Sequence, residues 1–479
     1  MLLAWVSAAC GADGETKPAV PGADVAASGT ASASGTADVP GGPGEARSVG
    51  EPRSSRVLGT GPGPWSHWRG PLATGLAPDA NPPIEWGPDR NVRFKTPIPG
   101  RGHSSPIVVG ERVFLLTAIP VGEPLEPRWS GRPGAHDNLP VTSEQAFAVV
   151  GVDRRSGEIL FETVVHEEIP LEGGHDTGSL ASASPVSDGE LLIAFFGSFG
   201  LYALDLDGNV LWSRDLGQMH TKHGHGEGAS PLLVNGRVVV NWDHEGESFL
   251  AVFDAESGEP AWRVARDEVS SWASPIAVEN EGRIQIVVAG TKRMRAYDLE
   301  NGEVIWECGG LASNICATPV FGEGIVVAGS SYERKAMFAV RLDGARGDVT
   351  GTERHIWRRT RGTPYVPSPL LYDESLYFLA HYQNVLSRAR LRTGENDGGP
   401  VRLSALRNIY ASPVGAAGRI YVTDVEGTTV VLSHEREPKV LATNRLDDPI
   451  SASGALAGRD LFLRSERFLY AISESQGSE

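Results

Sequence analysis

Cysteine is nearly missing from these 479 residues, with Cys10, Cys308 and Cys316 the three present. Three scattered cysteines make neither a disulfide framework nor a C-x-x-C metal knuckle, so stability has to come from packing. Aromatic residues are few, at 7%. Basic charge is in deficit: 43 Lys and Arg face 60 Asp and Glu, a formal net charge of −17. Nucleic-acid binders need a basic footprint that releases counterions from phosphates, so nucleic acid is excluded as a partner and neutral or cationic ligands fit better. No G-x-S-x-G elbow, H-E-x-x-H helix or G-x-x-x-x-G-K loop occurs, which removes common hydrolase, zinc-protease and nucleotide-binding signatures. The apolar stretch from Met1 to Cys10 is too short to span a bilayer.

That stretch, M-L-L-A-W-V-S-A-A-C, ends in small residues before a cysteine. It matches the C-terminal half of a bacterial lipoprotein signal but lacks a cationic n-region. Residues 1–10 are therefore expected to be a signal segment with Cys10 its lipidation site. The protein is expected in the periplasm or cell envelope, touching a membrane only through that anchor. Residues 11–60 are rich in Ala, Gly, Ser, Pro and Thr and cannot bury enough apolar surface to offset chain entropy. A disordered linker is expected there, with the folded domain over 61–479 and its core starting near Trp65.

Glycine (58 residues) and proline (33), with 40% hydrophobic content, describe a turn-rich all-β chain. A motif recurs: A-S-P or a relative, a strand, a Gly turn, two further strands, an Asp-to-Gly turn and an outer strand with an aromatic. Pro106, Pro185, Pro231, Pro275, Pro319, Pro369 and Pro413 mark seven starts, and S-A-S-G at 451–454 marks an eighth. Most steps are 41 to 50 residues, the length of four short strands with tight turns, which is one propeller blade. A second landmark agrees. Asp153, Gly157 and Phe161 share their spacing with Asp254, Gly258 and Trp262 and with Asp298, Gly302 and Trp306, and Asp205, Gly208 and Trp212 differ by one. In each, Asp opens the hairpin, Gly takes the positive-φ position, and register turns the aromatic into the inter-blade core. The last repeat has only three strands, so residues 91–99 are expected to complete blade eight. The expected fold is an eight-bladed β-propeller of four-stranded antiparallel blades, closed by an N-terminal strand.

This pattern resembles the pyrroloquinoline-quinone-type repeat of quinoprotein alcohol dehydrogenases and of the propeller lipoprotein of the outer-membrane protein assembly machinery. More narrowly, W-S-H-W-R-G-P at 65–71, G-R-G-H-S-S-P at 100–106 and R-G-T-P-Y-V-P-S-P-L-L-Y at 361–372 are similar to exported bacterial propellers of this repeat type. The resemblance covers roughly residues 65–475. It implies the quinone (PQQ) and Ca²⁺ as cofactors, yet the residue matches do not support them. Those dehydrogenases cap the quinone with a ring of adjacent cysteines, and Cys308 and Cys316 stand eight apart.

In an up-and-down blade, the second-to-third strand loops and the connections between blades share one face. The Asp-to-Gly turns line the other, plain face. The step from Pro106 to Pro185 is long because Ala118–Gln145 interrupt a second-to-third strand hairpin, which puts that insertion on the first face. Chemically rich residues concentrate in the same loops: Arg101, His103, His175, Asp176, Asp267, Glu268, Trp272, Tyr365, Arg407, Asn408 and Tyr410. Loops converging on one axis make a shared binding platform. A metal set is also expected, from His220, His223, His225 and Glu227 in a Gly-rich connection, completed by Asp243 or His244. The functional expectation is a monomeric cell-envelope platform for a small polar ligand or an envelope protein. A quinone- or metal-dependent oxidoreductase and an outer-membrane protein assembly scaffold are the alternatives.

Overall fold

The computed structural model describes residues 56–58, 64–380 and 383–474. The expected signal, Cys10 and nearly all of the expected linker lie outside the described residues. Eight antiparallel sheets follow one another, with inner strands beginning at Ile107, Val186, Leu232, Ile276, Val320, Leu370, Val414 and Ala455. They are blades one to eight, as the two repeat landmarks predict. Val92–Pro97 pairs antiparallel with Phe468–Ile472, so the N-terminal strand is the outer strand of blade eight and no sheet edge is left at the seam. No helix among the described residues is long and apolar enough to cross a membrane.

Burial follows position in the blade. The third strands are covered on both sides by neighbouring blades, and Thr428–Ser433 is buried throughout. Outer strands alternate, as in Pro260–Ala265 and Val92–Pro97, because only one of their faces meets a neighbour. Blade four departs from the four-stranded expectation. It gains Arg56–Val57 beside its inner strand and Gly347–Asp348, parallel, beside its outer strand.

Two repeated devices join the blades. On the plain face five outer-strand aromatics, Phe94, Phe161, Trp212, Trp262 and Trp357, lie over the turn glycine of the next blade. A Cβ on Gly208 would come 2.5 Å from the Phe161 ring, on Gly258 2.6 Å from Trp212, and on Gly302 2.8 Å from Trp262. These glycines therefore serve twice: they hold φ of +90°, +67° and +74°, and they leave room for a ring. The indole N–H of Trp212 donates to Ala255 O at 2.9 Å, and that of Trp262 to Leu299 O at 2.8 Å. Around the axis, the residue before each landmark position forms a closed ring. The backbone N–H of Ser105 donates to the Ser184 hydroxyl, Ser184 to Ser230, and Ser230 to Ser274. Ser274 continues to Thr318, Thr318 to Ser368, Ser368 to Ser412, Ser412 to Ser453, and Ser453 back to Ser105.

Residues 64–86 cross the axial channel toward its plain-face end. Their backbone bonds to Val108 of blade one, Ser187 of blade two, Leu371 of blade six, Gly415 of blade seven and Gly458 after blade eight's inner strand. Arg69, fully buried, donates its guanidinium to Pro413 O, Thr74 O and Pro369 O at 3.1, 3.1 and 2.8 Å. Three neutral carbonyls accept from its terminal nitrogens without a counter-charge, Nε has no partner among the described residues, and burial lowers its pKa to about 9.

Candidate functional site

Above this segment lies an axial cavity of about 300 Å³, at the lower end of the range for small-molecule sites. Trp68, from the crossing segment, lines it together with Trp272, Tyr332, Tyr365 and Tyr410. Tyr332 and Tyr365 stack, with ring centroids 6.0 Å apart. Seven of the eight ring hydroxyls, all but Thr318, reach its wall. Each accepts one N–H and keeps a hydrogen it can donate.

Four polar atoms on this wall are buried with no hydrogen-bond partner among the described residues: Trp68 Nε1, His103 Nε2, His225 Nε2 and Asn314 Oδ1. Buried polar atoms normally have partners, so a cluster of unpaired ones around a cavity marks where a ligand or ordered water completes the bonding. Burial, then Arg101 and Arg464, lowers His103 to about 3. Burial, then His175 and His136, lowers His225 to about 4, so both imidazoles are neutral at physiological pH.

The structure separates the sequence candidates. His103, His175, Trp272, Tyr365 and Tyr410 line the cavity. Arg101 and Asp176 sit just behind it: Arg101 donates to Asp176 O at 2.9 Å, and the Asp176 carboxylate lies 3.0 Å from His175 Nδ1. Asp267 and Glu268 are not brought to the axis. Asp267 pairs with Arg293 and Arg295, and Glu268 accepts the Lys292 N–H at 2.7 Å. Arg407 and Asn408 are likewise off the cavity wall, near Asp424, whose carboxylate accepts the Arg407 N–H at 2.8 Å.

Nor do the six residues of the expected metal set converge. Asp243 is held by Arg266 in a fully buried bidentate pair at 2.7 and 2.9 Å, and also accepts the Ser271 hydroxyl at 2.7 Å. Burial works against the Arg266 charge, but Asp243 outweighs it and holds the guanidinium above its ordinary pKa. Glu227 lines the cavity, yet its carboxylate accepts the Ser198 N–H and hydroxyl at 2.6 and 2.5 Å. Burial pushes that carboxyl up to about 7. Gly197 is required beside it, because a Cβ there would fall 1.4 Å from Glu227 Oε2. His220 contacts Arg132, His244 Nδ1 accepts the His220 N–H, and His223 Nδ1 meets Pro133 O. His225 instead joins His175 and His136, at ring-centroid distances of 4.7 and 4.8 Å. His136, Trp68, Tyr332 and Asn314 also line the cavity and are not among the sequence candidates. The length of the insertion was the available signal for His136, and W-S-H-W-R-G-P the signal for Trp68.

The cofactors implied by resemblance do not match this wall. Among the described residues no Arg, Lys or Asp lines the cavity, so an anionic polycarboxylate quinone finds no counter-charge there. Calcium needs several hard oxygen ligands, and Glu227, the one carboxylate on the wall among the described residues, is committed to Ser198. Cys316, at the wall, is pushed up to about 12 by burial, and Cys308 is buried in the core elsewhere.

Among curated proteins, none matches the sequence. The crystal structure of BamB from Moraxella catarrhalis aligns with a TM-score of 0.50 at 15% identity, over 74% of this chain and 99% of that one. A europium-containing methanol dehydrogenase aligns at 0.47 and 10% identity, over 85% of this chain and 90% of its own. The quinohemoprotein alcohol dehydrogenase of Pseudomonas putida aligns at 0.46 and 10%, over 85% and 80%. These likenesses concern the fold. The profile of a PQQ-type propeller family, described as outer membrane protein assembly factor BamB, matches residues 85–224 and 145–397 in two overlapping segments. With most of the chain so matched and eight blades built from the repeat, this protein belongs to that PQQ-type β-propeller family.

Proposed function

We propose that this chain is a ligand-binding propeller of the cell envelope whose axial cavity takes a neutral, polyhydroxylated ligand such as a mono- or disaccharide. The observation that carries this reading is the set of four unpaired buried polar atoms on a wall rich in serine hydroxyls and aromatic rings. Aromatic faces stack on the C–H faces of sugars, while hydroxyl donors and acceptors match their rims. The absence of Arg, Lys and Asp from the wall among the described residues disfavours strongly charged ligands. Export, with residues 11–60 as a tether from a lipidated Cys10, belongs to the same reading. Titration of the purified chain with a saccharide panel, followed by calorimetry and tryptophan fluorescence, tests it. Saturable one-to-one binding with a fluorescence change is expected, and no binding by any neutral sugar at millimolar concentration would sink it.

A second reading, an envelope assembly scaffold, draws on the family match and on the exposed side chains Trp129 and Leu125 of the insertion. Exposed aromatics of this kind anchor protein interfaces. Co-purification from solubilised membranes, lost in Trp129→Ala, would favour it over the first.

A further inference from the structure

His136, His175 and His225 arrive from three different loops: the blade-one insertion, the connection from blade one to two, and the connection from blade two to three. One ring nitrogen of each lies within 4.8 Å of the others. All three residues line the axial cavity.

The loops are tied together where the histidines meet. Leu139 donates to Gly174 O at 2.9 Å, Asp176 to Asp137 O at 2.7 Å, and His175 to His225 O at 3.1 Å. The Asn138 amide bonds His223 O and Gly224 O at 2.9 and 3.0 Å. Such bonds fix the backbone before any ion arrives, which lowers the ordering cost of binding.

In His136 and His175 one ring nitrogen is engaged in the manner of metal-binding histidines, which leaves the other as the ligand atom. His136 Nδ1 lies 2.8 Å from Gly134 O, which only accepts, so Nδ1 carries the proton and Nε2 offers its lone pair. His175 Nδ1 lies 3.0 Å from the Asp176 carboxylate and 2.8 Å from the Thr177 hydroxyl. A charged acceptor outweighs the longer 3.2 Å contact from the Thr177 amide and favours the same tautomer. His225 Nε2 is buried without a partner among the described residues.

We propose that His136, His175 and His225 form a three-histidine site for a divalent transition-metal ion, zinc or a similar borderline ion, with a coordination position open to the axial cavity. Metal–nitrogen bonds of about 2.0–2.1 Å would draw the three nitrogens to about 3.4 Å apart, a closure within reach of side-chain rotation. Three protein ligands with an open fourth place is the arrangement of reactive rather than structural zinc sites. The site shares the cavity and His225 Nε2 with the saccharide reading but does not need a sugar to bind. Metal content and sugar binding are measured separately, so either can fail alone.

The test uses the full chain, stripped with a chelator and titrated with ZnCl₂ by calorimetry and with CoCl₂ by visible absorption. One ion per chain is expected, with an intense four-coordinate cobalt band. His136→Gln and His175→Gln should each weaken zinc binding by about 100-fold, while His220→Gln leaves it unchanged. Equal zinc binding in all variants, meaning an adventitious ion only, would overturn the site, as would equal loss in His220→Gln. If a cluster variant melts early without metal, the cobalt spectrum of the unaltered chain decides. A weak six-coordinate band there overturns the proposal.

Discussion

The two faces of this propeller are built from the same eight repeats and obey different rules. On the plain face the device recurs: an aromatic over the next blade's turn glycine, as at Phe161 and Gly208, Trp212 and Gly258, and Trp262 and Gly302. On the loop face each connection differs in length and content, and three of the four buried polar atoms left unpaired around the cavity, His103 Nε2, His225 Nε2 and Asn314 Oδ1, come from there. Where the sequence is periodic the side chains hold the blades together. Where it is aperiodic they are available for chemistry.

The largest effect that sharpens this contrast belongs to the packing side. Trp306 is fully buried and donates its indole N–H to Gln285 Oε1 at 3.0 Å. Trp306→Ala should cost about 4 kcal/mol of unfolding free energy through the cavity it leaves. Chemical denaturation measures this, and a loss under about 1 kcal/mol would show that these aromatics do not carry the blade contacts.

A smaller effect, and one confined to the loop face, comes from Glu227. Its carboxyl titrates at about 7 in the fold against 4.5 as its ordinary value. A raised carboxyl pKa means that the fold prefers the protonated form. The associated stability is fully present below about pH 4.5 and is lost as pH rises through about 7. The loss amounts to about 3 kcal/mol. Glu227→Gln should therefore match the parent at pH 4.5 and exceed it at pH 8. A stability difference that does not change with pH would remove the argument.

The smallest effect lies in the ring between the two faces. Ser274→Ala leaves the Ser230 N–H without its acceptor and should cost about 1–2 kcal/mol. Ser274→Thr should be nearly neutral, because Thr318 already occupies the equivalent place. If Ala and Thr behave alike in thermal melts, the ring is not a stabilising element.

Blade number, strand order and closure by residues 92–97 were legible because they rest on local repeats: proline before a strand, and Asp and Gly at fixed spacing before an aromatic. Cavity lining by His103, His175, Trp272, Tyr365 and Tyr410 was legible because topology places whole loops on one face. Which side chain of a loop turns to the axis was not. His220, His223 and His225 are near neighbours in sequence, yet an irregular turn with φ of +57° at His223 sends them to different partners. Asp243 has the residue type of a ligand, but Arg266 occupies its carboxylate, a pairing that no local pattern announces. His136 and Trp68 reach the cavity from an insertion and from a segment that crosses the channel. Long-range contacts place both, so no repeat signal points to them.

The most direct measurement pairs two tryptophans ten residues apart, one on each side of this division. Trp272 lines the axial cavity and donates to Gly226 O at 2.8 Å, whereas Trp262 lies over Gly302. With the best-bound sugar in the calorimeter, Trp272→Ala should weaken binding at least about tenfold, the loss of about 1.4 kcal/mol of stacking, with little change in melting temperature. Trp262→Ala should lower the melting temperature and, well below it, bind as the parent does. Equal affinities in the two variants, or loss of affinity in Trp262→Ala alone, would contradict the assignment of the axial cavity as the binding site.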